Sequence, residues 1–108
     1  MIPIDDFFKV DIRVGKIIEV EDADTKKPMY KIKVDFGLEI GMRQAVAGIK
    51  PYYAKEEILG KNFVFVVNIE PKKIGSVLSE CMILAASQDE KVVILQPERD
   101  IDAGAKIS

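Results

Sequence analysis

The 108-residue sequence predicts an all-β domain, a five-stranded Greek-key barrel with one short helix between its third and fourth strands and an extension at each end. Three observations predict it. Apolar and polar residues alternate with period two through much of the chain. Turn-forming residues interrupt that alternation at short intervals, and one segment alone, after Pro51, carries a run of good helix formers. The length suits a single domain spanning residues 1–108, with no linker and no internal repeat.

The first strand is expected over Val10 to Val20. Val10, Ile12, Val14, Ile18 and Val20 are read on one side, and Gly15 is expected to allow a bulge or bend midway. A polar turn, Glu21 to Pro28, follows. Met29 to Phe36 then alternates cleanly: Tyr30, Ile32, Val34 and Phe36 on one face, Lys31, Lys33 and Asp35 on the other. Gly37 to Gly41 reads as a turn, and Met42 to Ile49 as a third strand carrying Arg43.

Pro51 sits at a plausible first helical position, so PYYAKEEIL, ending at Gly60, is read as one short helix. Lys61 to Ile69 is apolar at nearly every position, the pattern of a strand buried on both faces. Glu70 to Ser79 is read as a loop. Cys81 to Ala86 and Val92 to Leu95 are read as a final hairpin around SQDEK, with an extended tail from Gln96. Three strands, a helix and two strands are the order of an OB-fold, whose second and third strands and adjoining loops bind oligonucleotides or oligosaccharides. An SH3-like barrel is the alternative.

Composition narrows the chemistry. No histidine is present, which excludes Ser-His and Cys-His nucleophiles and the usual imidazole metal ligand. One cysteine, Cys81, cannot build a zinc cluster or an intramolecular disulfide. The carboxylate pairs Asp22/Asp24 and Glu56/Glu57 suit solvated surface positions, and no phosphate-cradling glycine signature occurs. Neither catalysis nor a metal or other cofactor is expected. The N-terminus does not read as a signal peptide, and no apolar run approaches the roughly 18 residues of a membrane span. The expected location is cytoplasmic.

The net charge of −2 conceals an uneven distribution. Lys26 to Lys73 holds ten basic and five acidic residues, whereas the remainder holds six and thirteen. A basic segment inside an acidic chain suits a polyanion-binding surface, and equally a solvated one. On the expected barrel face it supplies Lys31, Lys33 and Arg43. In the loop after the fourth strand, Asn68 can read a base edge or cap the loop. Pro71 is expected to make Lys72 and Lys73 project together as a phosphate grip. Ser79 can donate to a phosphate or ribose hydroxyl, and Met82 can pack on a base; spacing alone favours a core position for Met82.

The stretches VDIRVGKI, VDFG, RQAVAGI, NIEPKKI and SECMILAAS, closing with Gly104-Ala105-Lys106-Ile107, together resemble the tRNA-binding OB-domain family. That family includes C-terminal domains and β subunits of methionyl-tRNA synthetases, stand-alone tRNA-binding proteins and CsaA-type secretion chaperones. The resemblance implies a structure-specific tRNA-binding module working in trans, with an aminoacyl-tRNA synthetase as a partner. It implies RNA contacts at Arg43, Asn68, Lys72, Lys73, Ser79 and Met82. It also implies a homodimer whose interface uses an apolar N-terminal arm with Ile2, Ile4, Phe7 and Phe8. The turn DADTKKPMYKI and the following DFGLEIG are closer to the CsaA branch, which implies the alternative of a dimeric chaperone holding unfolded preproteins. Cys81 stands where tRNA-binding members commonly have glycine, which implies crowding of a base beside Ser79 and Met82.

Overall fold

A computed structural model describes residues Met1–Ser108. In chain order its elements are α1 (Ile4–Phe7), β1 (Ile12–Asp22), β2 (Tyr30–Asp35), α2 (Gly37–Ile40), β3 (Met42–Ala47), α3 (Lys55–Ile58) and β4 (Asn62–Val66). There follow β5 (Lys72–Ile74), β6 (Val77–Ser79), β7 (Met82–Ile83), β8 (Ala85–Gln88), β9 (Lys91–Ile94) and β10 (Lys106–Ile107). The main sheet runs β3-β2-β1-β4-β7, with β10 added alongside β1; β5-β6 and β8-β9 are separate hairpins. It curls into a nearly closed OB-type barrel. No helix is long and apolar enough to cross a membrane.

The core follows from alternation. Tyr30, Ile32, Val34 and Phe36 of the second-strand segment are all at most 4% exposed and pack with Phe63, Phe65 and Val67. The rings of Phe36 and Phe65 meet edge-on, 5.3 Å apart. Ile12, Val64 and Val66 form a second cluster on the outer face, under Leu84 and Ile107, so β4 is buried on both faces as its composition predicts. Ile58 of α3 is fully buried in the main core and plugs the barrel end.

Several expectations need correction. The irregularity in β1 lies between Ile17 and Glu19, not at Gly15. Ile17 rather than Ile18 lies in the core, on the face opposite Ile12; the shift turns Val20 to the same core side, and Val10 lies outside the strand. Gly15 serves packing instead: a Cβ there would stand 2.5 Å from both Phe36 Cε1 and Val34 Cγ1. The helix begins at Lys55, because Pro51 lies in a preceding turn and Tyr53 is held by two strands. The Tyr53 carbonyl accepts from the Tyr30 hydroxyl at 2.7 Å, and its own hydroxyl accepts from the Ile94 N–H at 3.2 Å. Glu57 then starts the helix by accepting from the Ala54 N–H at 2.8 Å.

The segment read as a loop contains the β5–β6 hairpin, and Gly37 to Gly41 contains the single turn of α2. The expected final hairpin splits at Leu84. Met82–Ile83 pairs with β4, while Ala85–Gln88 turns outward to pair with β9. The tail is not merely extended, since Ile107 pairs with Ile12.

Candidate nucleic-acid interface

A groove of about 350 Å3 lies between the end of β3, the β5–β6 hairpin and β7. Val46, Ile69, Ile74, Met82 and Ile83 line it, with Ser79 and Cys81 at its base and Glu70 and Lys72 at its rim. Its position follows from how the barrel closes. Between β3 and the Ser79–Cys81 segment there is one backbone bond, from the Glu80 N–H to the Gln44 carbonyl at 2.8 Å. Side chains supply the rest. Ser79 Oγ accepts from the Val46 N–H at 3.1 Å, Glu80 Oε1 accepts from the Gln44 N–H at 3.1 Å, and Gln44 Nε2 donates to the Leu78 carbonyl at 3.1 Å. The groove opens between this seam and the hairpin.

Met82 is 47% exposed and faces the groove, contrary to the core position favoured from spacing. Neighbouring residues of β5 point to opposite faces. Lys72 therefore lines the groove with Ile74, and Lys73 lies on the other face of the hairpin; the expectation that they project together is corrected. Both lysines are exposed.

Asn68 and Ser79 are engaged within the protein. Asn68 Oδ1 accepts from the Asp11 N–H at 2.7 Å, and its Nδ2 donates to the Lys9 carbonyl at 2.7 Å. The buried Ser79 hydroxyl bridges Val46 N–H to the Cys81 carbonyl at 3.4 Å. Arg43 donates to the Val67 carbonyl at 2.9 Å, which anchors the guanidinium beside the end of β4. Cys81 is 2% exposed, and burial pushes its thiol up to about 12, against a smaller opposing effect of Arg43. Its side chain belongs to the core rather than crowding the mouth of the groove.

The lysines of β2 face carboxylates. Register sets Lys31 opposite Glu21 and Lys33 opposite Glu19, and Lys31 Nζ is 3.3 Å from Glu21 Oε1. Cross-strand pairing thus offsets much of the positive charge on that face. Lys50 and Lys55 are similarly committed, at 3.0 and 3.4 Å from Asp22, and hold its carboxyl below the usual range. Ile2, Ile4, Phe7 and Phe8 of the arm are 68%, 67%, 38% and 56% exposed. No three His, Cys, Asp or Glu side chains converge as a metal site would require.

The model of the family described as "Putative tRNA binding domain" matches residues 12–106. The methionine–tRNA ligase of Thermococcus kodakarensis is 47% identical over 106 residues, covering 98% of this chain and 14% of the ligase. That of Methanocaldococcus jannaschii is 46% identical over 100 residues, covering 92% and 15%. The chain thus spans only about a seventh of the length of these curated relatives. Among solved structures, the CsaA chaperone protein from Picrophilus torridus is similar with a TM-score of 0.93 and 41% identity, each chain covered over 100%. The MetRS related protein from Pyrococcus horikoshii is similar with a TM-score of 0.91 and 34% identity, covering 100% of this chain and 98% of the other.

Proposed function

This chain belongs to the tRNA-binding domain family, and on that premise we propose that it is a non-catalytic, structure-specific tRNA-binding module of the cytoplasm. It works in trans beside an aminoacyl-tRNA synthetase, in the manner of a methionyl-tRNA synthetase β subunit. The observation that carries the reading is the groove: an adaptable, half-exposed Met82 stands next to the basic Lys72–Lys73 hairpin. Lys72 and Lys73 would neutralise phosphates, and Met82 would cover an unstacked base. Ser79 at the base of the groove and Arg43 beside the end of β4 would support this surface, Asn68 would hold the adjoining arm, and Lys31 and Lys33 would extend the surface along β2. Two copies paired through Ile2, Ile4, Phe7 and Phe8 would present two such surfaces to one folded RNA and gain avidity.

A gel-shift titration tests this, comparing folded tRNA with unstructured RNA of equal length at two salt concentrations. Preferential, salt-sensitive binding of folded tRNA is expected. Equal affinity for both RNAs would remove shape recognition, and no binding would remove the function.

A second reading, a CsaA-like chaperone dimer for unfolded preproteins, is favoured by one observation. The groove is lined by aliphatic side chains and methionine, with no aromatic ring on which a base could stack. Suppressed aggregation of a denatured client, with no retention of tRNA, would select it.

A further inference from the structure

A second hollow, of about 550 Å3, adjoins the groove at the turn end of the β5–β6 hairpin. Asp24, Thr25, Lys26, Lys27 and Met29 of the β1–β2 loop line it on one side, and Ile74 and Gly75 of the hairpin on the other. Ile74 also lines the groove, so the two depressions meet at this residue.

Backbone fixes the hairpin turn to the loop. Gly75 opens the two-residue turn with a φ of +62°, and a Cβ built there would overlap the Asp24 carbonyl oxygen. Only glycine meets both demands, the left-handed backbone and the close approach. The loop is itself folded tightly: Ala23 N–H donates to the Met29 carbonyl at 3.0 Å, and the Thr25 hydroxyl donates to the Lys27 carbonyl at 2.5 Å.

Charge is distributed to match. Lys31, Lys50 and Lys55 each have a carboxylate partner. Lys26, Lys27, Lys72 and Lys73 have none; Lys16, Lys33, Lys61, Lys91 and Lys106 also lack one, but these four are exposed together on two touching segments, with Asp24 and Glu70 lining the same hollows. Like charges on independent loops would drift apart. Here the backbone contact holds them close without any ligand, so a polyanion meets an arrangement already paid for in ordering entropy.

Resting on the RNA-binding reading, we infer that the Lys26–Lys27 loop and the Lys72–Lys73 hairpin, clasped at Gly75, form one phosphate clamp. It holds the RNA backbone where the hollow and the groove meet, at Ile74. Gly75 is its positioning residue. Lys26 and Lys27 contact phosphates in the second hollow while the groove holds a neighbouring base.

The test titrates folded tRNA between 50 and 200 mM salt with wild type, Lys26→Gln/Lys27→Gln, Lys72→Gln/Lys73→Gln and a control, Lys16→Gln/Lys91→Gln. Each clamp variant should lower the slope of log affinity against log salt by about two, so the affinity lost across that range shrinks roughly tenfold. The control should keep the wild-type slope. Gly75→Ala, with unchanged charge, should weaken binding at low salt. An unaltered slope for Lys26→Gln/Lys27→Gln, with wild type still binding, overturns the clamp and leaves the RNA reading standing. Failure of wild type to bind tRNA overturns both.

Discussion

Asn68 holds Asp11, a residue 57 positions away, by accepting its backbone N–H at 2.7 Å. With the second bond to the Lys9 carbonyl, this amide fastens the N-terminal arm to the end of β4. Asn68→Ala should therefore destabilise the protein by about 1–2 kcal/mol and speed hydrogen exchange at Asp11. Unchanged stability together with lost tRNA affinity would instead place the amide against RNA.

Ser79→Ala removes the acceptor that satisfies the Val46 N–H in the barrel seam. An unsatisfied buried donor costs about 1–3 kcal/mol. Urea unfolding should show a lower midpoint with an unchanged m-value. A midpoint equal to wild type would mean that the seam does not depend on this hydroxyl.

Gly15→Ala puts a methyl into space already filled by Phe36 and Val34. Overpacking of this kind costs about 1–3 kcal/mol, and thermal unfolding measures it. A neutral or stabilising outcome would show that β1 can shift away from the two side chains.

Cys81 supplies a pH prediction. Its thiol is raised from 9.0 to about 12 by burial. Above pH 9 the unfolded chain releases this proton while the folded chain keeps it, so the contribution is complete below pH 9 and is lost as pH rises toward 12. Stability measured across that window should fall more steeply for wild type than for Cys81→Ala. Parallel curves would contradict the assignment. At pH 8 the same thiol should resist alkylation until the protein unfolds.

The second and fourth strands were legible in the sequence because their side chains leave no choice. Tyr30, Ile32, Val34 and Phe36 allow one inward register, and Phe63 to Val67 has no polar face to expose. The register shift in β1 was not legible, since Ile17 and Ile18 are equally apolar and only packing selects between them. The short helix lost its first residues to Tyr53, whose partners Tyr30 and Ile94 lie 23 and 41 positions away. The β5–β6 hairpin did carry a signal, a Gly-Ser pair between apolar residues, which the surrounding polar sequence obscured.

The candidate site divides in the same way. Lys72, Lys73 and Met82 are exposed at the groove end, where the basic segment and the fifth-strand motif suggested them. Asn68 and Ser79 have side chains that suit RNA and suit orphan backbone groups equally well. Their actual partners, Asp11 and Val46, are 57 and 33 residues distant. No local pattern could have revealed those assignments.

The pairing of Lys31 with Glu21 and of Lys33 with Glu19 has a consequence for encounter rather than for contact. With Lys31 on the flank of the barrel held by Glu21, the unpartnered Lys26, Lys27, Lys72 and Lys73 gather positive charge at one tip, where the loop meets the hairpin. A polyanion diffusing nearby experiences a torque, which turns that tip toward it before the two surfaces touch. Association should therefore quicken if Glu19 and Glu21 are neutralised, yet productive collisions should become a smaller share of the total, because the field would no longer point in one direction.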